Sequence, residues 1–136
     1  MDRRTAFSRM IACVGVAVGL VQAQAGKAGG MVTIEDVTLD ELKRGMADGS
    51  IVLVDVREPN EWAAGRIPGA VFNPLSSFDV SKLPSAPGKR VVLQCRSGNR
   101  SKTALGLAQS GGRADVKAHF GGGMLAWQGA GEPVDR

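Results

Sequence analysis

The chain has 136 residues, room for one domain and too few for two well-filled cores. Apolar residues make up 43% and charged residues 22%, ordinary globular usage that argues against a disordered chain, and the 19 glycines follow no collagen-like period. The net charge is +4, no apolar run reaches the roughly 18 residues of a membrane-spanning helix, and two cysteines with one histidine are too few for a Cys/His zinc site.

Residues 1–25 have the order of an export signal: basic Arg3, Arg4 and Arg9, an apolar run from Met10 to Val21, and Ala23-Gln24-Ala25 as a small-x-small cleavage site. The other reading, an uncleaved amphipathic or buried helix, leaves the basic flank and the Ala-x-Ala unexplained. Arg3-Arg4 with Phe7 is loosely similar to a twin-arginine signal, so both export routes stay open. Cys13 sits in a lipoprotein-like box, but Arg9 interrupts the apolar run that lipidation would need. Cleavage near Ala25 lowers the formal charge to +2, because the leader carries three basic residues and one acidic residue. It also removes Cys13 and leaves Cys95 as a lone thiol, a liability in an oxidising compartment that points to a purpose. No basic stripe interleaved with aromatics remains, so nucleic acid is not an expected partner, and neither is stable membrane insertion.

Residues 26–32 read as a flexible lead-in, and the folded domain as 33–136. Thr38 and Glu41 have capping-box spacing and predict a helix to about Ala47, closed by Asp48-Gly49. Ile51 to Val56 is a β-branched apolar run, the pattern of a strand buried on both faces. A short helix over Asn60 to Ala64 follows, with Pro59 in its first turn. Ala70 to Phe72 reads as a short strand, Ser77 to Leu83 as helical turns, and Val91 to Gln94 as another buried strand. Ser101 to Ser110 reads as a helix with Ala104, Leu107 and Ala108 on one face. Val116 to Phe120 is the last predicted strand, and a helical turn over Met124 to Trp127 ends the pattern. Buried strands alternating with helices predict an α/β fold, a mostly parallel sheet covered on both faces. In such sheets ligands bind beyond the carboxyl ends of the strands, where Asp55-Val56-Arg57 and Cys95 both fall.

Cys95-Arg96-Ser97-Gly98-Asn99-Arg100-Ser101 leads from a strand end into a helix N-terminus. Backbone N–H groups there can point at the sulfur, and the helix dipole adds positive potential. Arg96 and Arg100 add two charges, so the thiol pKa should fall below its free value of about 8.5. Gly98 permits a curled backbone and Asn99 tolerates a left-handed conformation. The result is a small open anion cradle around a nucleophilic thiolate, suited to attack on a sulfur centre or a phosphate. A cysteine at a strand end is ordinarily a small buried hydrophobe, but two arginines, a glycine and two serines are a poor setting for an inert one. Asp55 and Arg57 read as a structural ion pair supporting the site, His119 as structural, and Trp62 and Trp127 as packing residues.

Three ordered segments then resemble one family. Leu53 to Trp62 with Gly65 to Ala70 looks like the first signature of single-domain rhodaneses, Cys95 to Ser101 like their active-site loop, and Gly122 to Trp127 with Gly131 to Val134 like their C-terminal ending. The resemblance implies a rhodanese-like, five-stranded, mostly parallel sheet. It also implies a cofactor-free sulfurtransferase cycle through a Cys95 persulfide, with a small thiosulfate-like donor and cyanide or a thiol as acceptor. The backbone from Arg96 to Ser101 (Arg96, Ser97, Gly98, Asn99, Arg100 and Ser101) would bind substrate and persulfide, with Arg96 and Arg100 attracting the donor. With an export signal, the implied relatives are periplasmic thiosulfate sulfurtransferases. Arg66 departs from the family, which usually has His there. Cysteine phosphatases carry an arginine six positions after the Cys; here that position is Ser101, and Arg100 stands at five. A second reading within the family is a persulfide carrier or docking module that delivers sulfur to a protein partner.

Overall fold

The computed structural model describes residues 31–136. The expected export signal, and residues 26–30 of the lead-in, lie outside the described residues. The described part forms one compact unit from Val32 to Arg136.

Helix α1 (Leu39–Asp48) opens as its sequence demands: the Thr38 hydroxyl accepts from the Glu41 N–H at 3.1 Å, and the Glu41 carboxylate accepts from the Thr38 N–H at 2.9 Å. Helix α2 (Pro59–Ala64) has Pro59 in its first turn, where a missing N–H costs nothing. Helix α3 (Asn99–Ser110) and helix α4 (Gly123–Gly129) complete the set, and two 3₁₀ turns, Leu75–Ser77 and Val80–Lys82, occupy the expected helical stretch before Leu83.

Five parallel strands form one sheet: β1 (Glu35–Asp36), β2 (Ile51–Asp55), β3 (Val71–Phe72), β4 (Arg90–Gln94) and β5 (Ala118–Phe120), in the order β1-β5-β4-β2-β3. The central strands alternate. Leu53 and Val92 face one core with Leu42, Phe120, Met124 and Trp127, while Val54, Leu93 and Cys95 face the other with Ala104, Leu105 and Ala108. Each fully buried Leu contributes about 1.5–3 kcal/mol relative to an exposed one.

Two details differ from the sequence reading. Leu107 is exposed, and the buried stripe of α3 is Ser101, Ala104, Leu105 and Ala108, rotated by part of a turn so that Leu105 meets the sheet. Strand β1 was not among the predicted elements; two acidic residues carry no apolar pattern, and they are a strand because they pair with Ala118 and His119.

Candidate active site

Cys95 follows directly on β4, and α3 begins at Asn99, two residues before the predicted start. Three residues therefore turn the chain from strand to helix. Gly98 takes the left-handed conformation (φ 100°), and a Cβ there would lie 2.7 Å from the Gly121 carbonyl oxygen. Asn99 is helical, since no residue other than glycine has a positive φ among those described. The turn brings the Gly98 N–H to 3.1 Å and the Ser101 N–H to 3.4 Å from the Cys95 Sγ, with the Ser101 hydroxyl at 3.6 Å.

Helix α4 braces the loop from behind. The Met124 N–H donates to the Cys95 carbonyl at 2.8 Å and the Leu125 N–H to the Arg96 carbonyl at 3.1 Å. Gly123 makes the approach possible: a Cβ there would stand 2.5 Å from both carbonyl oxygens. With its carbonyls bound on that side, the loop leaves N–H groups facing the sulfur.

Two opposed effects set the thiol's acidity. Burial, the larger single effect, raises its pKa; the Ser101 amide and hydroxyl and the Gly98 and Ser97 amides together lower it more. The net shift is downward, which eases formation of the thiolate. The cradle is not open, however. Cys95 is only 1% exposed, whereas Arg96, Ser97 and Asn99 of the same loop are exposed.

The two arginines of the loop differ. Arg100 is held by Glu61 of α2 through hydrogen bonds of 2.7 and 3.0 Å, so its charge is balanced and not free for a second anion. Arg96 is exposed and has no carboxylate partner among the described residues. A cavity of about 180 Å³ adjoins it, lined also by Arg57, Glu61, Gly65 and Met124. Another cavity, of about 540 Å³, includes Ser50 and Arg90 in its walls, at the opposite ends of the central strands.

Asp55 and Arg57 form the expected ion pair, fully buried, at 2.8 Å, and Arg57 also donates to the Gly65 carbonyl at 2.7 Å. The pair ties the end of β2 to the chain leaving α2 and gives the small cavity one wall. Arg66 stacks its guanidinium 5.1 Å from the Trp62 ring, itself stacked on Phe72 at 4.6 Å, so that position is structural. Trp127 packs in the core and donates its Nε1–H to the Pro133 carbonyl.

Two site residues escaped the sequence reading. Glu61 lay inside the first signature, but nothing local tells which arginine it meets. His119, read only as structural, puts its Nδ1 at 2.7 Å from the Ser101 hydroxyl. Among the described residues no cluster of His, Cys, Asp or Glu could hold a metal ion.

Comparison with known proteins agrees with this geometry. Residues 38–130 match the family model described as Rhodanese-like domain. The chain is 31% identical over 102 residues to a sulfurtransferase of Allochromatium vinosum, covering 74% of this chain and 94% of that one. It is 44% identical over 103 residues to the uncharacterized protein slr1261 of Synechocystis, covering 76% and 55%. Several other relatives are longer too, and the chain spans about half of their length or less. Among solved structures, the human single-domain sulfurtransferase TSTD1 is similar, with a TM-score of 0.59 and 31% identity over 69% of this chain and 95% of that one. A family match over most of the chain, on a five-stranded parallel sheet with a cysteine loop at its carboxyl edge, means that this chain belongs to the rhodanese-like domain family, among relatives named sulfurtransferases.

Proposed function

We propose that the protein is a thiosulfate sulfurtransferase acting through a persulfide on Cys95. The Cys95 thiolate attacks the outer sulfur of thiosulfate. The donor's S–S bond breaks, sulfite leaves with its electron pair, and the transferred sulfur stays as a Cys95 persulfide. Cyanide or a thiol then attacks the terminal sulfur and regenerates the thiolate. The observation that carries this reading is the pair of loop amides at 3.1 and 3.4 Å from Sγ, which would stabilise a sulfur anion. Arg96, on the rim next to the small cavity, supplies the unbalanced charge that would draw in a dianionic donor. Arg100 contributes less, and its pairing with Glu61 also speaks against a phosphatase-like grip on a tetrahedral anion. The basic, apolar and small-x-small order of residues 1–25 supports export to the periplasm before the reaction takes place.

Intact-mass measurement after thiosulfate exposure tests the proposal. One added sulfur atom, lost on adding cyanide with release of thiocyanate, is the expected result, and Cys95→Ser should show neither. Thiocyanate formation unchanged in Cys95→Ser would refute the assignment. A persulfide that survives cyanide and small thiols but discharges to a protein would instead identify a carrier. Phosphate esters assayed beside thiosulfate should not turn over.

A further inference from the structure

His119 and Ser101 form a buried polar chain that ends at Cys95. Ser101 is completely buried and His119 is 3% exposed, beside a largely aliphatic core. The Ser101 hydroxyl has one hydrogen and three groups around it: His119 Nδ1 at 2.7 Å, the Gly98 carbonyl at 3.1 Å and Cys95 Sγ at 3.6 Å. On the far side of the ring, Nε2 stands 4.0 Å from the Asp36 carboxylate of β1.

We propose that His119 is a positioning residue that accepts the Cys95 thiol proton by way of the Ser101 hydroxyl, with Asp36 as the anion behind it. The inference rests on the persulfide reading, since it describes how the attacking thiolate forms. In the resting arrangement the imidazole is neutral with its hydrogen on Nε2, the thiol donates to the Ser101 oxygen, and Ser101 donates to Nδ1. Two hydrogens then shift together. The S–H bond breaks and its proton bonds to Oγ, while the hydroxyl's own proton bonds to Nδ1. No oxidant or reductant is needed. The thiolate now receives the Ser101 O–H, and the imidazolium directs its Nε2–H toward Asp36.

Burial and Lys102 of α3 hold the ring's pKa below its ordinary value, so it is neutral at rest, and Asp36 is the group that opposes them and favours the imidazolium formed on transfer. From β4 the residue in register with His119 is the apolar Leu93. The other acid of β1, Glu35, is bound to Arg90 at 2.9 Å.

The chain has one histidine, so its ring signals need no assignment. In the full chain, pH titrations of the His119 ring nitrogens and of ¹³Cβ-labelled Cys95 by NMR should each show two steps with shared midpoints, the mark of a coupled pair. Cys95→Ser should reduce the His119 curve to one step, moved to lower pH by loss of the nearby anion. His119→Asn should reduce the Cys95 curve to one step, moved to higher pH, with the thiolate fraction at neutral pH falling roughly tenfold, the factor for one unit of pKa. Ser101→Ala should uncouple the two, and Asp36→Asn should lower the His119 midpoint. Independent single-step curves in the unaltered protein would overturn the relay. So would a His119 curve that ignores Cys95→Ser, even if Cys95 responds to His119→Asn, because that pattern is packing alone. None of these readouts requires turnover, so a failed relay in a protein that still forms the persulfide is distinguishable from a failed persulfide mechanism.

Discussion

Glu61 and Arg100, 39 residues apart in sequence, are joined by two parallel hydrogen bonds of 2.7 and 3.0 Å. One sits in α2 and the other at the second position of α3, so the pair clamps the start of the active-loop helix to the segment that follows β2. The geometry is the bidentate fork that makes arginine–carboxylate pairs stronger than single contacts. Arg100 holds the Glu61 carboxyl down to about 2, against the opposing effect of partial burial.

That depressed value gives the first prediction a direction. Because Glu61 titrates lower in the folded protein than in the unfolded chain, its stabilising effect is complete above the unfolded value of about 4.5. It is lost as pH falls through the folded value of about 2. Glu61→Gln should cost on the order of 1 kcal/mol at pH 7, the upper range for a partly exposed pair. Denaturant unfolding of the two proteins should converge as the pH is lowered across that interval. A difference that stays constant with pH would mean the pair contributes shape and not charge.

The pairing also ranks the arginines. Arg96→Ala should raise the KM for thiosulfate, by roughly tenfold if one charge near the site is worth about 1.4 kcal/mol, with kcat nearly kept. Arg100→Ala leaves the Glu61 carboxylate uncompensated beside an anion site, so it should also weaken thiosulfate use. Adding Glu61→Gln to it should then restore most of the loss. If Arg100→Ala is the more damaging single change and the second substitution restores nothing, Arg100 itself engages the donor.

How much of this was legible in the sequence follows from how local each feature is. The Thr38–Glu41 cap, the buried runs of β2 and β4 and the turn after Cys95 are written in neighbouring residues, and they stand where the pattern put them. What escaped is set by partners far along the chain. Strand β1 exists through its pairing with β5, and Leu107 is exposed because the face of α3 that packs on the core carries Leu105 instead. The Ser101–His119 contact joins a helix to the last strand, and no periodicity encodes it. The near-complete burial of Cys95 was likewise invisible, since a loop rich in arginine and serine reads as open.

Gly98 is where the loop is least tolerant. Gly98→Ala would hold an alanine at a φ near 100° and press its Cβ against the Gly121 carbonyl. A left-handed alanine alone costs about 1–2 kcal/mol, and the close approach adds to it. If the backbone swings to relieve the clash, the Gly98 N–H leaves the sulfur and the thiol pKa rises. The expected outcome is a lower unfolding midpoint together with slower persulfide formation at pH 7. An unchanged midpoint with normal thiolate content would show that the turn can be made another way.

Gln94, the residue before Cys95, is completely buried, and neither atom of its side-chain amide has a hydrogen-bond partner. Its position in β4 is in register with Asp55 on one side and Phe120 on the other, and it shares a face of the sheet with Val92. An unsatisfied buried amide carries a desolvation cost of about 1–3 kcal/mol that a shape-matched apolar side chain does not. Gln94→Met keeps the length and nearly the volume, so packing changes little. Its urea midpoint should rise by an amount equivalent to about 1 kcal/mol, with the slope of the transition unchanged. A midpoint that falls instead would mean that the amide is satisfied in solution, so that its burial beside the reactive cysteine is no burden on the fold.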